Sequence, residues 1–225
     1  MQKKVIVLSL GGSLIIPDEV DVNFLRKFKR IIKKNKNKCK FVVVCGGGII
    51  ARKYIRGLRK EGISEHLQGL IGIASTRTNA RFMNYFFNRD SEKGIPHSVK
   101  DIKRILLKND FVFCGALVYK TGATTDAQAA EIARYFKSPL INLTDVSGLH
   151  DKNPKEHRDA KLIPKISWKN FNKMAHSIKF KPGQHFILDQ MASKIIMKHR
   201  IPTYILGKDL KQLENVLDGK KFIGT

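Results

Sequence analysis

The sequence predicts an α/β fold: a mostly parallel sheet with helices covering both faces. Three observations predict it. Short runs of β-branched and aromatic residues alternate along the chain with stretches of helical period. These runs are apolar at nearly every position, as strands buried on both faces are. No repeat, low-complexity segment or Gly/Ser linker interrupts the alternation, so residues 1–225 are expected to form one domain.

The elements follow in order. Lys4–Leu10 is a strand that runs into Gly11-Gly12-Ser13. Val22–Asn35 has helical spacing, with Phe24, Leu25, Phe28, Ile31 and Ile32 on one face and Asp21 placed as N-cap. Residues 40–45 are a buried strand ending in Gly46-Gly47-Gly48, and 49–61 a helix that closes near Gly62. Residues 64–88 read as a long helix with apolar positions Leu67, Leu70, Ile71, Ile73, Phe82, Tyr85 and Phe86. A helix over 98–108, a strand over Phe111–Cys114, an alanine-rich helix over 126–136 and a buried strand over 139–143 come next. Residues 145–164 are polar and contain Gly, Asn and Pro, which predicts a surface loop or hairpin. Helices over 169–177 and 189–199, a strand over Thr203–Leu206, a helix over Leu210–Leu217 and a last strand over 221–223 complete the chain.

Composition narrows the functional classes. The 225 residues are 42% apolar, enough for a substantial core. No stretch approaches the length of a membrane span and the N-terminus reads as a strand, which predicts a cytoplasmic protein with no membrane partner. Cys39, Cys45 and Cys114 have neither metal-ligand spacing nor a disulfide pattern, and Cys45 and Cys114 sit at the ends of strands as small buried residues. Lys and Arg total 43 against 19 Asp and Glu, a net charge of +24 that favours anionic ligands. Nucleic-acid binding has only this charge to support it, since the basic residues are spread along the chain and form no zinc-finger, RNA-recognition or aromatic-interleaved pattern. A solvated basic surface is the preferred reading.

The glycine clusters carry the chemistry. Glycine lets backbone approach a bulky anion, and a helix that starts just after it adds unpaired N–H groups and a positive dipole end. Successive N–H groups of Gly46-Gly47-Gly48 can form a nest around one phosphate, with Arg52 and Lys53 about one helical turn farther on. Neither cluster has the Gly-Lys-Ser/Thr of a P-loop or the spaced glycines of a dinucleotide site. Two such loops at strand ends, where open parallel sheets bind ligands, predict a place where two phosphate groups meet.

Further segments join them: Thr121 to Asp126 before the alanine-rich helix, "TDVSGL" from Thr144, "IGIASTRTNA" in the long helix, "GGGIIARKYI" from Gly46, and "LDQMASK" ending at Lys194. With these pieces in this order, the whole chain resembles the amino acid kinase family, and within it most resembles the archaeal-type uridylate kinases. The resemblance implies a three-layer αβα sandwich around a sheet of about eight strands, often in a homo-oligomer such as a dimer or hexamer. It implies transfer of the ATP γ-phosphoryl group to UMP with Mg2+ as cofactor, the acceptor held mainly by residues 1–125 and ATP mainly by 126–225.

Residue by residue, the resemblance implies that Gly11, Gly12 and Ser13 line the transferring group. Gly46, Gly47, Gly48 and Arg52 then hold the acceptor phosphate, with Gly69, Gly115, Thr121, Thr124 and Thr125 bordering the acceptor. Asp126 orients the catalytic groups or Mg2+, its other reading being a helix N-cap. Thr144, Asp145, Gly148, His150, Asp151 and Asn153 border the ATP, and Lys194 neutralises its charge as the γ-group leaves. Asp189 is read as the cap of the helix that carries Lys194.

Some positions depart from the pattern. Ser9 stands where many relatives carry a lysine, and Gly69, beside Gln68, where uridylate kinases carry an aspartate that binds the acceptor ribose. The segment Gly115 to Gly122 differs from the shorter glycine- and proline-containing loop of relatives. Two alternatives accompany the uridylate reading. One is a kinase of the same fold acting on an acylated amino acid or a small phosphate ester. The other is a nucleotide-binding relative without transferase activity.

Overall fold

Five apolar runs assemble into one parallel sheet in a computed structural model that describes residues 3–90, 94–119, 124–177 and 188–225. The strands are β1 (Lys4–Leu10), β2 (Cys39–Cys45), β3 (Phe111–Cys114), β4 (Leu140–Leu143) and β5 (Thr203–Leu206). Their order across the sheet is β3-β2-β1-β4-β5. Among the described residues the helices are α1 (Gly12–Ile15), α2 (Val22–Asn35), α3 (Gly48–Lys60), α4 (Glu65–Phe86), α5 (Val99–Lys108), α6 (Thr125–Phe136), α7 (Trp168–Ser177), α8 (Gln190–His199) and α9 (Leu210–Leu217).

The period-two alternation of side chains sends each strand into two cores. Ile6, Leu8 and Leu10 of β1 join Phe41 and Val43 of β2 in a core shared with α2, α4 and α9, where Phe28, Phe87, Phe111 and Phe113 meet edge to face. Val7, Val42 and Val44 face the other way, into a core with α5, α6, α7 and α8. Fully buried Ala129, Ala130 and Ala133 let α6 lie close to the sheet. The expected αβα layering is therefore present.

Register places the site. Leu10 pairs with Cys45 on one side and with Leu143 on the other, so β1, β2 and β4 end level. The glycine loops after β1 and β2 and the turn after β4 consequently emerge side by side.

Three expectations are corrected. The sheet has five strands among the described residues, not about eight. Residues 221–223 are not a strand: Gly219, at φ 69°, turns the chain, Phe222 packs edge-on to Tyr204 at 5.7 Å, and only Thr225 exchanges a pair of backbone hydrogen bonds with Ile205. The long helix α4 buries Gln68, Ser75, Thr76, Asn79 and Asn84, while Leu67, Leu70 and Tyr85 are exposed. Thr76, Arg77 and Asn79 on its inner side bond to the loop backbone of Ala116, Leu117 and Gly46, whose buried N–H and C=O groups need hydrogen-bonding partners. Residues 145–164 form an irregular hairpin with an antiparallel bridge between His150 and Leu162. Elsewhere helix and strand ends differ from expectation by one or two residues.

Candidate active site

The floor of the site is backbone. Gly46 N–H donates to the Leu10 carbonyl at 2.9 Å, joining the first loop to the second. A Cβ on Gly12 would stand 2.2 Å from the Gly48 nitrogen and 2.7 Å from the Gly46 oxygen, and one on Gly46 would stand 2.8 Å from the Gly12 nitrogen. Gly48 has φ 61°, a left-handed conformation that glycine alone adopts at little cost. The two loops thus touch main chain to main chain. The opening N–H groups of α3, which have no partner within the helix, start at this contact.

Above the loops lies a cleft of about 580 Å3. It is lined on the loop side by Gly11, Gly12, Ser13, Gly46, Gly48 and Arg52, and at its base by Ser9, Thr124, Thr125 and Asp126. Its far wall comes from the segment after β4.

A hydroxyl and carboxylate network organises the base. Ser9 Oγ donates to Asp126 Oδ1 at 2.7 Å. Thr124, not Asp126, caps α6: its Oγ1 accepts from Asp126 N–H at 3.1 Å and donates to Asp189 Oδ2. Asp189 caps α8 through Met191 N–H at 2.7 Å and Ala192 N–H at 2.8 Å, as expected from sequence. The cap reading of Asp126 is thereby corrected; Thr124 already fills that role and leaves the carboxylate to the cleft.

Loss of hydration, reinforced by the Asp189 charge and opposed by the Ser9 hydroxyl, raises the Asp126 pKa from 3.8 to about 7. The folded protein therefore holds a proton that the unfolded chain releases above pH 3.8. The stability this contributes is fully present below the unfolded pKa and is lost as pH rises through about 7. Asp126→Asn is expected to raise the melting temperature at pH 8 while leaving it nearly unchanged at pH 4. Melting curves of both proteins across that range check this, and parallel curves would refute the burial of an ionising Asp126.

The segment after β4 lines the cleft with Thr144, Asp145, His150, Asp151 and Asn153, all anticipated from sequence. It adds Lys152, Lys155 and His157, which were not. Lys155 pairs with Asp145, and Lys152 with Asp159 at 2.5 Å. A polar, charged hairpin was visible in the sequence; which of its lysines turn inward was not. His150 Nδ1 lies 2.9 Å from the Gly148 carbonyl. Gly148 itself packs away from the cleft, where a Cβ would meet Leu162 at 2.7 Å and Thr225 at 3.0 Å.

Other anticipated residues lie outside the cleft lining. Gly47 packs against Ala51, Gly72 and Thr76; Gly115 packs on Thr76 and Arg77; Gly69 packs on the Tyr119 ring. Lys194 stands on the exposed face of α8. Thr121 lies outside the described residues.

The polar face of α4, marked in the sequence by its motif but not by its burial, supplies the supports. Asn79 Nδ2 donates to the Gly46 carbonyl at 2.7 Å. Thr76 Oγ1 accepts from Ala116 N–H at 2.8 Å, and Arg77 donates to the Ala116 and Leu117 carbonyls at 3.1 and 2.7 Å. Gln128 of α6 grips the same loop, accepting from Leu117 N–H at 2.5 Å and donating to the Val118 carbonyl at 2.6 Å. The "TRTNA" segment marked these residues; the burial of their polar groups is what gives them work. Among the described residues no cluster of three or more His, Cys, Asp or Glu is placed to hold a metal by itself. Cys45 and Cys114 are buried, and burial pushes the Cys114 thiol up to about 12 and that of Cys45 well above its ordinary value.

The chain is similar in sequence and fold to known proteins. A family model described as the amino acid kinase family matches residues 4–207. The chain is 33% identical over 221 residues to a uridylate kinase of Thermoplasma volcanium, covering 98% of this chain and 96% of that one. It is also 33% identical to a uridylate kinase of Thermococcus kodakarensis, over 96% of each chain. The crystal structure of uridylate kinase from Archaeoglobus fulgidus superposes with a TM-score of 0.82 at 30% identity, covering 98% of both chains.

Proposed function

The chain belongs to the amino acid kinase family, and from that membership we propose that it transfers the γ-phosphoryl group of ATP to UMP, giving UDP and ADP for pyrimidine nucleotide synthesis. The observation that carries this reading is the backbone contact between Gly12 and Gly46-Gly48, which provides adjacent cradles for two phosphates. Near full-length similarity to uridylate kinases supports UMP as acceptor.

In this reading ATP lies along the segment after β4, between Thr144, Asp145, His150, Asp151 and Asn153, with its γ-phosphate on Gly11, Gly12 and Ser13. Gly46, Gly48 and Arg52, which line the cleft, hold the UMP phosphate, and Thr124 and Thr125 border the rest of the acceptor. An oxygen of the UMP phosphate attacks the γ-phosphorus in line, and the bond to the β-phosphate oxygen breaks. Catalysis consists of alignment and of main-chain and cationic stabilisation of the spread charge. Mg2+ is commonly bound by one or two carboxylates together with substrate phosphates, and Asp126 at the cleft base fits that donor set. The ion would offset phosphate charge there. Soluble nucleotide substrates support a cytoplasmic location, and Tyr54 on α3 and Leu67 and Leu70 on α4 are exposed apolar side chains open to burial in a homo-oligomer such as a dimer or hexamer.

Lys194 has the role of neutralising ATP charge. It is exposed, and a solvated ammonium is screened. Lys194→Ala is therefore expected to lower kcat about tenfold with little change in the KM for ATP, the loss of about one charge-assisted contact; an unchanged kcat would remove Lys194 from the reaction.

The test of the whole reading is an acceptor screen with ATP and Mg2+ against UMP, CMP, dUMP, acetylglutamate and small phosphate esters. Turnover is expected with UMP at the highest kcat/KM. Preference for a non-nucleotide acceptor, or no turnover with any, would replace it by one of the two alternatives.

A further inference from the structure

Tyr119 occupies the space that a side chain at residue 69 would fill. A Cβ built on Gly69 would stand 2.2 Å from Tyr119 Cε2, 2.9 Å from Cδ2 and 3.4 Å from Cζ, the carbon that bears the hydroxyl. The phenol ring therefore lies flush on the backbone of α4, and only glycine at 69 admits it. The His66 ring, almost one turn earlier on the same helix, meets the Tyr119 ring edge-on at 4.6 Å between centroids.

The ring is also held from behind. Thr76, Arg77 and Gln128 fix the backbone from Ala116 to Val118 by the bonds given above, so Tyr119 emerges from an anchored loop. Gln68, the neighbouring polar residue, is turned elsewhere: its Nε2 donates to the Ile63 carbonyl at 2.7 Å and its Oε1 accepts from Arg59.

Residues 69, 72 and 76 share one face of α4, and two of them, Gly72 and Thr76, touch Gly47 of the second glycine loop. The span from residue 72 to residue 69 is about 4.5 Å along the helix axis, and from 76 to 69 about 10 Å. Tyr119 thus stands roughly one to two turns from the loop assigned to the acceptor phosphate. That is the reach from a nucleotide's phosphate to its sugar.

We propose that Tyr119, seated on Gly69, is the residue that selects the acceptor by its nucleoside, its phenol hydroxyl hydrogen-bonding the ribose. This rests on the assignment of UMP as acceptor. The contact is made by a neutral hydroxyl, which can both donate and accept, so it favours a sugar hydroxyl over a charged group.

Calorimetric titration of UMP into wild type, Tyr119→Phe and Gly69→Ala, each with a non-hydrolysable ATP analogue and Mg2+, tests it beside steady-state kinetics. Loss of one neutral hydrogen bond is expected to weaken UMP binding about fivefold in Tyr119→Phe, with the KM for ATP unchanged. Gly69→Ala, which forces the ring off the helix, is expected to weaken UMP binding by at least as much while keeping the parental ATP affinity. Active wild type with the same UMP affinity in Tyr119→Phe overturns the role of Tyr119 and leaves the UMP assignment standing. A wild type that neither binds nor phosphorylates UMP overturns both.

Discussion

Gly12→Ala is expected to lower kcat for phosphoryl transfer about 1000-fold, because the added methyl enters main chain. The new carbon would stand 2.2 Å from the Gly48 nitrogen and 2.6 Å from its Cα, atoms that cannot swing aside as a flexible side chain can. Relief requires the two loops to part by an ångström or more. A misplacement of about 1 Å between reacting groups costs on the order of 100-fold, and losing one preorganised donor costs about 100- to 1000-fold. Gly57→Ala is the control. Nothing lies within 4 Å of a Cβ there, and alanine is the better helix former, so that variant is expected to keep wild-type kcat with slightly raised stability. Stopped-assay kcat and melting temperature for both variants decide the matter. Wild-type turnover in Gly12→Ala would show that the touching loops are not where the transfer occurs.

Arg52→Ala is expected to raise the KM for UMP about 100-fold while changing the KM for ATP much less. Arg52 lines the cleft one turn into α3, half-buried, beside the loop assigned to the acceptor phosphate. A guanidinium can bind two phosphate oxygens at once, and each charge-assisted bond contributes about 1.5–3 kcal/mol. Losing both therefore costs on the order of 3 kcal/mol or more, which is at least 100-fold. Arg52→Lys keeps the charge but not the fork and is expected to fall between the two. Initial rates against UMP concentration at saturating ATP provide the check; an unchanged UMP KM in Arg52→Ala would remove this residue from the acceptor site.

Much of this could be read before the fold was seen. Apolar runs located all five strands and glycine clusters the two loops that touch, because a doubly covered parallel sheet leaves a pattern of β-branched residues. Thr144, Asp145, His150, Asp151 and Asn153 line the cleft as anticipated. What the pattern concealed was α4. Leu67, Leu70 and Tyr85 look like core residues by period, yet they are exposed, and the buried face carries Thr76, Asn79 and Asn84. Periodicity reports which positions are apolar; it cannot say that a helix will pack on loop backbone, whose N–H and C=O groups demand polar partners. The cap of α6 was ambiguous for a related reason: Thr124 and Asp126 can each serve locally, and only the approach of Asp189 from another element decides between them.

That meeting of Asp189 with Thr124 has a consequence for how the molecule comes apart. One carboxylate closes the first turn of α8 and, through a threonine hydroxyl, the first turn of α6, though the two residues are 65 positions apart in the chain. Fraying of either helix start breaks the bond that ties it to the other. The base of the cleft should therefore open and close as one cooperative unit, even though the segments that form it are distant in sequence.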